Sequence, residues 1–204
     1  MPNPSLFAVI PAAGQSRRMG QPKLLLPWRG TTVIAHLVGE LRAAGVTRIF
    51  VVLRAADEEL YAAVITANAI PLQPAIDPPD MRSSVEYGLN VAHHELENLS
   101  DSGWLLIPAD HPIVSRTTVA ALQANWQPGL RQILIPTYQG LRGHPTLFSG
   151  DFRDEMAAIP ADRGLNWLVQ ENSAAVREVP VTERGVLVDL DTPEDYAALL
   201  KQTE

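Results

Sequence analysis

Two sets of residues stand out by type and spacing. The first is Ala12-Ala13-Gly14-Gln15-Ser16-Arg17-Arg18-Met19-Gly20-Gln21-Pro22-Lys23, directly after the apolar run Leu6–Ile10 and Pro11. Small side chains let a polyanion approach backbone N–H groups, which cradle phosphate oxygens. Arg17, Arg18 and Lys23 bring positive charge to the same loop. The stretch reads either as an anion-binding loop or as a solvated basic turn, and a Gly-rich loop by itself leaves both open. It is not a Walker A motif, since Gly-x4-Gly-Lys-Ser/Thr is absent. It is not a dinucleotide fingerprint, since Gly-x-Gly-x-x-Gly is absent.

The second set is acidic. Asp110 lies in Pro108-Ala109-Asp110-His111-Pro112, just past the apolar run Trp104–Ile107. It is either a turn aspartate or a ligand for Mg²⁺, a hard ion that takes oxygen donors and keeps several waters. A second cluster, Val188-Asp189-Leu190-Asp191-Thr192-Pro193-Glu194-Asp195, reads as a strand end followed by a helix start. Strand alternation puts Asp189 and Asp191 on one face. Capping gives Asp191 or Thr192 a structural use, and Glu194 and Asp195 favour the helix dipole. A cationic loop and an acidic loop together suit a nucleoside triphosphate with a divalent metal.

Those residues need a scaffold. Strand-like and helix-like runs alternate along the chain, which predicts an α/β fold: three layers, α/β/α, with a Rossmann-like, mostly parallel sheet covered on both faces. Strands are expected at Leu6–Pro11, Arg48–Leu53, Ile70–Gln73, Trp104–Ile107, Gln132–Thr137, Pro145–Phe148, Val176–Val181 and Val186–Leu190. Thr31 or Thr32 caps a helix bearing Ile34, Leu37, Val38 and Leu41, ended by Gly45. Further helices are expected over Asp57–Ala67, from Ser83 towards Glu97, from Ser115 through Leu122, over Asp151–Ala158 and Leu165–Gln170, and from Pro193. Ser83 and Glu86 have capping-box spacing. Ligands of such sheets bind at the carboxyl ends of the strands, which here means Ala12–Lys23, Pro74–Ser84 and Pro108–Pro112.

Composition sets bounds. A chain of 204 residues with 46% hydrophobic content suits a single domain, 1–204. The net charge of −7 argues against a nucleic-acid partner, which needs a basic footprint. No cysteine is present, so no disulfide or thiolate metal site forms. No apolar stretch approaches the ~20 residues that span a bilayer, and the run at Leu6 is too short for a signal-peptide core. The expectation is a cytoplasmic protein without a membrane partner.

Ala12-Ala13-Gly14-x-Ser16-x-Arg18-Met19-Gly20-x-x-Lys23-x-Leu25-Leu26-Pro27 resembles the opening motif of the nucleotidyltransferases that complete the molybdenum cofactor. The nearest branch is the cytidylyltransferase type, related to the guanylyltransferases. The resemblance runs nearly the whole chain with its motifs in order. It implies the nucleotide-diphospho-sugar transferase type of fold, and Mg²⁺-dependent transfer of an NMP to molybdopterin or molybdenum cofactor with loss of pyrophosphate. A molybdoenzyme would be the client.

Residue by residue, the resemblance implies that Ala12, Ala13, Gly14, Ser16, Arg18, Lys23, Ser83 and Asp110 bind the nucleotide. Arg18, Lys23 and Asp110 serve catalysis. Asp110 and one aspartate of Asp-x-Asp-Thr-Pro hold the metal, with Asp189 favoured because it competes less as a cap. Gly140-Leu141-Arg142-Gly143-His144-Pro145 is similar to the acceptor-pocket segment, which assigns Arg142, Gly143 and His144 to the acceptor; arginine suits bidentate phosphate contact.

Three departures from the family pattern bear on the acceptor and on His111's contact. His111 stands for the usual Gln. Asp80 and Arg82 replace Gly and Ser before the third helix. Asn166 replaces an Arg. Ala12-Ala13-Gly14, in place of a Gly-Gly pair, points to CTP. The alternatives are GTP, a sugar- or polyol-phosphate transferase of the same fold, and a carrier of molybdenum cofactor.

Overall fold

The computed structural model describes residues 6–96 and 102–201. Its strands are β1 (Leu6–Pro11), β2 (Pro27–Trp28), β3 (Thr31–Thr32), β4 (Arg48–Val52), β5 (Ile70–Leu72), β6 (Gly103–Leu106), β7 (Ile133–Tyr138), β8 (Leu141–Arg142), β9 (Thr146–Ser149) and β10 (Val176–Pro180). Its helices are α1 (Val33–Ala43), α2 (Glu58–Thr66), α3 (Met81–Glu95), α4 (Arg116–Asn125), α5 (Phe152–Met156), α6 (Asn166–Glu171) and α7 (Pro193–Lys201). The expected extension of α3 to Glu97 falls outside the described residues.

The main sheet runs β10-β7-β9-β6-β1-β4-β5, with β8 paired to β7. β1 is parallel to β4 and β6, β4 to β5, and β7 to β10. β9 runs antiparallel to both its neighbours. The fold is therefore the expected mostly parallel α/β sheet with helices on its faces.

Alternation along β1 explains the layers. Leu6, Ala8 and Ile10 enter one apolar cluster with α1, α2 and α4, while Phe7 and Val9 enter the other with α3, α5 and α6. On the α3 side a Cβ at Gly88 would lie 2.7 Å from Val9 Cγ1, so glycine there lets α3 settle onto β1. Trp104 and Phe148 stack at 4.4 Å between β6 and β9. The chain leaves β1 towards β4 on one side, and β6 flanks it on the other. This switch point opens a crevice at their carboxyl ends.

The small β2–β3 hairpin is a feature the apolar pattern does not announce. Its turn places Arg29 (φ 47°) and Gly30 (φ 80°) in the left-handed region, as a two-residue hairpin requires. Thr32 caps α1 as expected, accepting from Ala35 N.

Two local readings are corrected. α3 starts at Met81, and its cap is Asp80 rather than Ser83: Asp80 Oδ1 accepts from Ser83 N at 2.7 Å. Glu86 closes no capping box with Ser83 and instead accepts from Arg82 Nε at 2.8 Å. The expected strand Val186–Leu190 is a 3₁₀ turn, Arg184–Leu187, leading into an extended segment. Its backbone bonds go to loops rather than to a neighbouring strand: Val186 O accepts from His144 N, and Leu190 N donates to Asp110 O.

Candidate active site

The loop after β1 is shaped by its own hydrogen bonds. Ser16 takes a left-handed backbone (φ 50°), and its Oγ accepts from Lys23 N at 3.3 Å. Gly20 N returns to Ser16 O, and Ala12 N is held by Val52 O at the end of β4. The loop thus wraps round a cavity of about 510 Å³. Of the residues expected to bind nucleotide, Ala12, Ala13, Gly14, Ser16, Arg18, Lys23 and Asp110 line this cavity. Ser83 does not; Ser84 does, one position on.

Lys23 is the hub. Its Nζ donates to Asp110 Oδ2 at 2.8 Å and to Asp191 Oδ1 at 3.1 Å. Arg18 donates to the other oxygen of Asp191 at 2.7 Å. Lys23 has only 12% of its side chain exposed, against 70% for Arg18, so the Lys23 contacts are the better shielded from water. Cations and carboxylates from opposite ends of the chain converge where the crevice opens.

Asp191, not Asp189, is the partner that Lys23 joins to Asp110. The reason lies at the start of α7. Thr192 Oγ1 accepts from Asp195 N, while the Asp195 carboxylate accepts from Thr192 N and Asp191 N. The Thr192 hydroxyl, which donates to the Asp195 carboxylate at 2.8 Å, and then Thr192 N hold that carboxyl below its ordinary range. The helix start is thereby satisfied and the Asp191 side chain is released to the cavity. Thr192 and Asp195, three apart, were the readable signal for this.

Asp189 turns to a second cavity of about 630 Å³, which it lines with Asp110, His111, His144 and Phe148. Asp80, Met81, Pro108 and Asp110 border both cavities, so the two are adjacent. His111 and His144 pack ring to ring at 4.6 Å. Burial lowers both; His144 falls to about 4, helped by the charge that His111 would carry. Both rings are therefore neutral at pH 7. Each has a buried Nδ1 without a partner among the described residues.

The structure separates the three residues expected at the acceptor. His144 lines the second cavity. Arg142 lies outside both cavities, donating to Glu178 at 2.9 Å on an exposed edge. Gly143 packs on the 3₁₀ turn: a Cβ there would stand 2.2 Å from Val186 O. Arg82 lines the second cavity but is engaged with Glu86 and with Pro160 O at 2.8 Å. Asn166 also borders the second cavity, at the start of α6.

Among the described residues no group of three or more His, Cys, Asp or Glu is arranged to hold a metal unaided. Asp110 and Asp191 offer two hard oxygen donors beside a cavity with a cationic wall. That set would suit a hard divalent cation that takes its remaining ligands from outside the protein. No described helix is long and apolar enough to cross a membrane.

An open, mostly parallel sheet, with a cationic loop after the interior strand β1 and a carboxylate after its neighbour β6, makes an anion-binding crevice of the kind nucleotide-binding α/β proteins use. The chain belongs to the MobA-like NTP transferase domain family, which it matches over residues 8–177. It is 27% identical to the nicotine blue oxidoreductase of Paenarthrobacter nicotinovorans, over 97% of each chain. It is 25% identical to the molybdenum cofactor cytidylyltransferase of Escherichia coli, over 94% of each. Among solved structures, Rv0371c of Mycobacterium tuberculosis is 28% identical, with a TM-score of 0.77 over 98% of this chain and 99% of that one. A second structure of Rv0371c is a complex with manganese, with a TM-score of 0.73 at 28% identity over 97% of this chain and 98% of that one. Relatives matched over 94% or more of their length carry different reaction names, so likeness alone does not fix the reaction.

Proposed function

We propose that the protein transfers CMP from CTP to the phosphate of a molybdopterin-type acceptor. The acceptor phosphate oxygen attacks the α-phosphorus, the bond to the β-phosphate oxygen breaks, and pyrophosphate leaves with that electron pair. The observation that carries this reading is the Lys23 clamp on Asp110 and Asp191 at the mouth of the first cavity. A carrier of finished cofactor needs no such arrangement of cation and paired carboxylates.

Lys23 and Arg18 face the phosphate chain and stabilise charge that grows on the α-phosphate and the leaving pyrophosphate. The backbone of Ala12–Gly14 gives that chain a close approach. Asp110 and Asp191 are the carboxylates for a divalent cation, Mg²⁺ by its ligand preference; the shared Lys23 favours Asp191 over Asp189. When bound, the cation neutralises phosphate oxygens and favours in-line geometry. A phosphate nucleophile is already ionised near neutral pH, so no general base is assigned. The acceptor belongs in the second cavity, which meets the first at Asp110 and has His144 and Phe148 in its wall.

CTP is favoured over GTP because Ala12-Ala13-Gly14 resembles the cytidylyltransferase branch. The test is a thermal-shift screen of CTP, GTP, ATP and UTP with and without Mg²⁺, followed by turnover with molybdopterin. At 100 times Kd, a ligand adds ~2.7 kcal/mol to the native state. A Mg²⁺-dependent shift led by CTP, with pyrophosphate release on adding molybdopterin, is expected. Shifts led by GTP move the assignment to guanylyl transfer. No shift with any nucleotide overturns the reading.

A further inference from the structure

The fold gives Asp110 and Asp191 counter-ions of its own. Asp110 Oδ2 and Asp191 Oδ1 both accept from the Lys23 ammonium, and Asp191 Oδ2 accepts from Arg18. Three of the four carboxylate oxygens are thus engaged by cations of the chain, and only Asp110 Oδ1 has no partner among the described residues. A divalent cation that enters between the carboxylates meets these bonds first.

The two cations yield differently. Arg18 is exposed, and water replaces its contact with little loss. Lys23 is well shielded, so an ammonium pushed off both carboxylates is left with few waters and no anion. Its stem also keeps it close by, as a like charge beside the incoming ion. A polyphosphate removes both penalties. It offers the ammonium a new anion within the cavity that Lys23 already lines, and it carries oxygen ligands to the metal.

We propose that Lys23 is a built-in counter-ion that closes the carboxylate pair to free divalent metal, so that the protein takes its metal together with a triphosphate and not alone. The proposal rests on reading Asp110 and Asp191 as the carboxylates of the metal site.

Binding of Mn²⁺ without nucleotide tests it, followed by electron paramagnetic resonance of the free ion. The proteins are the wild type, the neutral variants Lys23→Met and Lys23→Gln, the charge-keeping Lys23→Arg, and Lys23→Met combined with Asp110→Asn. Thermal unfolding shows which of them are folded. The neutral variants should bind Mn²⁺ at least about tenfold more tightly than the wild type, because a unit positive charge has left a shielded cation site. Lys23→Arg should stay within about threefold of the wild type, since the charge remains. Adding Asp110→Asn should abolish the gain, which assigns it to this carboxylate pair. Mn²⁺ binding by folded neutral variants no tighter than by the wild type, an equal gain in Lys23→Arg, or a gain that survives Asp110→Asn overturns the proposal alone. Calorimetric titration of the wild type with CTP, GTP, ATP and UTP in the presence of Mn²⁺ checks the underlying reading. Failure to bind any of them overturns the reading of the site, and this proposal with it.

Discussion

Lys23 Nζ lies 2.8 Å from Asp110 Oδ2, across a separation of 87 residues along the chain. The contact ties the loop after β1 to the loop after β6, the two strands at the switch point of the sheet. With Asp191 on its other side, the ammonium stands between two carboxylates and offsets their repulsion. Triphosphate and metal would together replace these contacts, leaving Lys23 free to face phosphate.

Lys23→Met should lower kcat/KM by about two to three orders of magnitude, because a cation aimed at developing charge in a shielded site contributes on that scale. Steady-state release of pyrophosphate measures it. Activity within threefold of the wild type would remove Lys23 from the chemistry.

Asp191→Asn and Asp189→Asn should part company. The first should weaken Mn²⁺ binding in the presence of nucleotide by at least about tenfold, a typical loss for an altered ligand shell. The second should leave that affinity within about threefold and raise the acceptor KM instead. Electron paramagnetic resonance of free Mn²⁺ reads the first quantity directly. The opposite pattern would restore Asp189 as the second ligand.

Arg142→Ala should change the acceptor KM by less than about twofold and stability by less than about 1 kcal/mol, since its partner is Glu178 on an exposed edge. Acceptor titration and a denaturation curve check the two numbers. A tenfold rise in acceptor KM would return Arg142 to the binding site.

Stability should fall on acidification between pH 6.5 and 4. Unfolded His144 titrates near 6.5, but the folded ring, lowered by burial, takes its proton only near 4. The unfolded state therefore binds more protons in that window, and stability is lost as the pH falls through it. The His144 share is about 3 kcal/mol, and His111 acts in the same direction. Urea midpoints at pH 7 and 4.5 should differ less in His144→Asn than in the wild type; equal differences would mean that His144 is not buried as a neutral ring.

Much of the molecule is legible in local pattern. The β1, β4 and β6 runs, the caps at Thr32, Asp57 and Ser115, and the left-handed stops at Gly45 and Asn68 depend on residues a few positions apart. So do the cationic loop and the acids after their strands, because chemistry at a strand end is written beside the strand. The cap of α3 is ambiguous in sequence because Asp80 and Ser83 are both good caps. Spacing to Glu86 favoured Ser83, yet in the fold Glu86 pairs with Arg82.

What only the tertiary structure decided is how distant segments meet. The sequence determined that Asp189 and Asp191 flank one apolar residue. It did not determine which of them joins Asp110: strand alternation puts both on one face, and weaker competition as a cap favours Asp189. The segment instead bonds to the loops around Asp110 and His144, and the bonds at Thr192 and Asp195 turn Asp191 towards Lys23. Arg142 likewise sits two positions from His144 yet reaches Glu178 rather than the cavity, because β8 pairs with β7 at the sheet edge. Alternation along a strand is a local property; the partner a side chain finds depends on packing between elements that no short window of sequence contains.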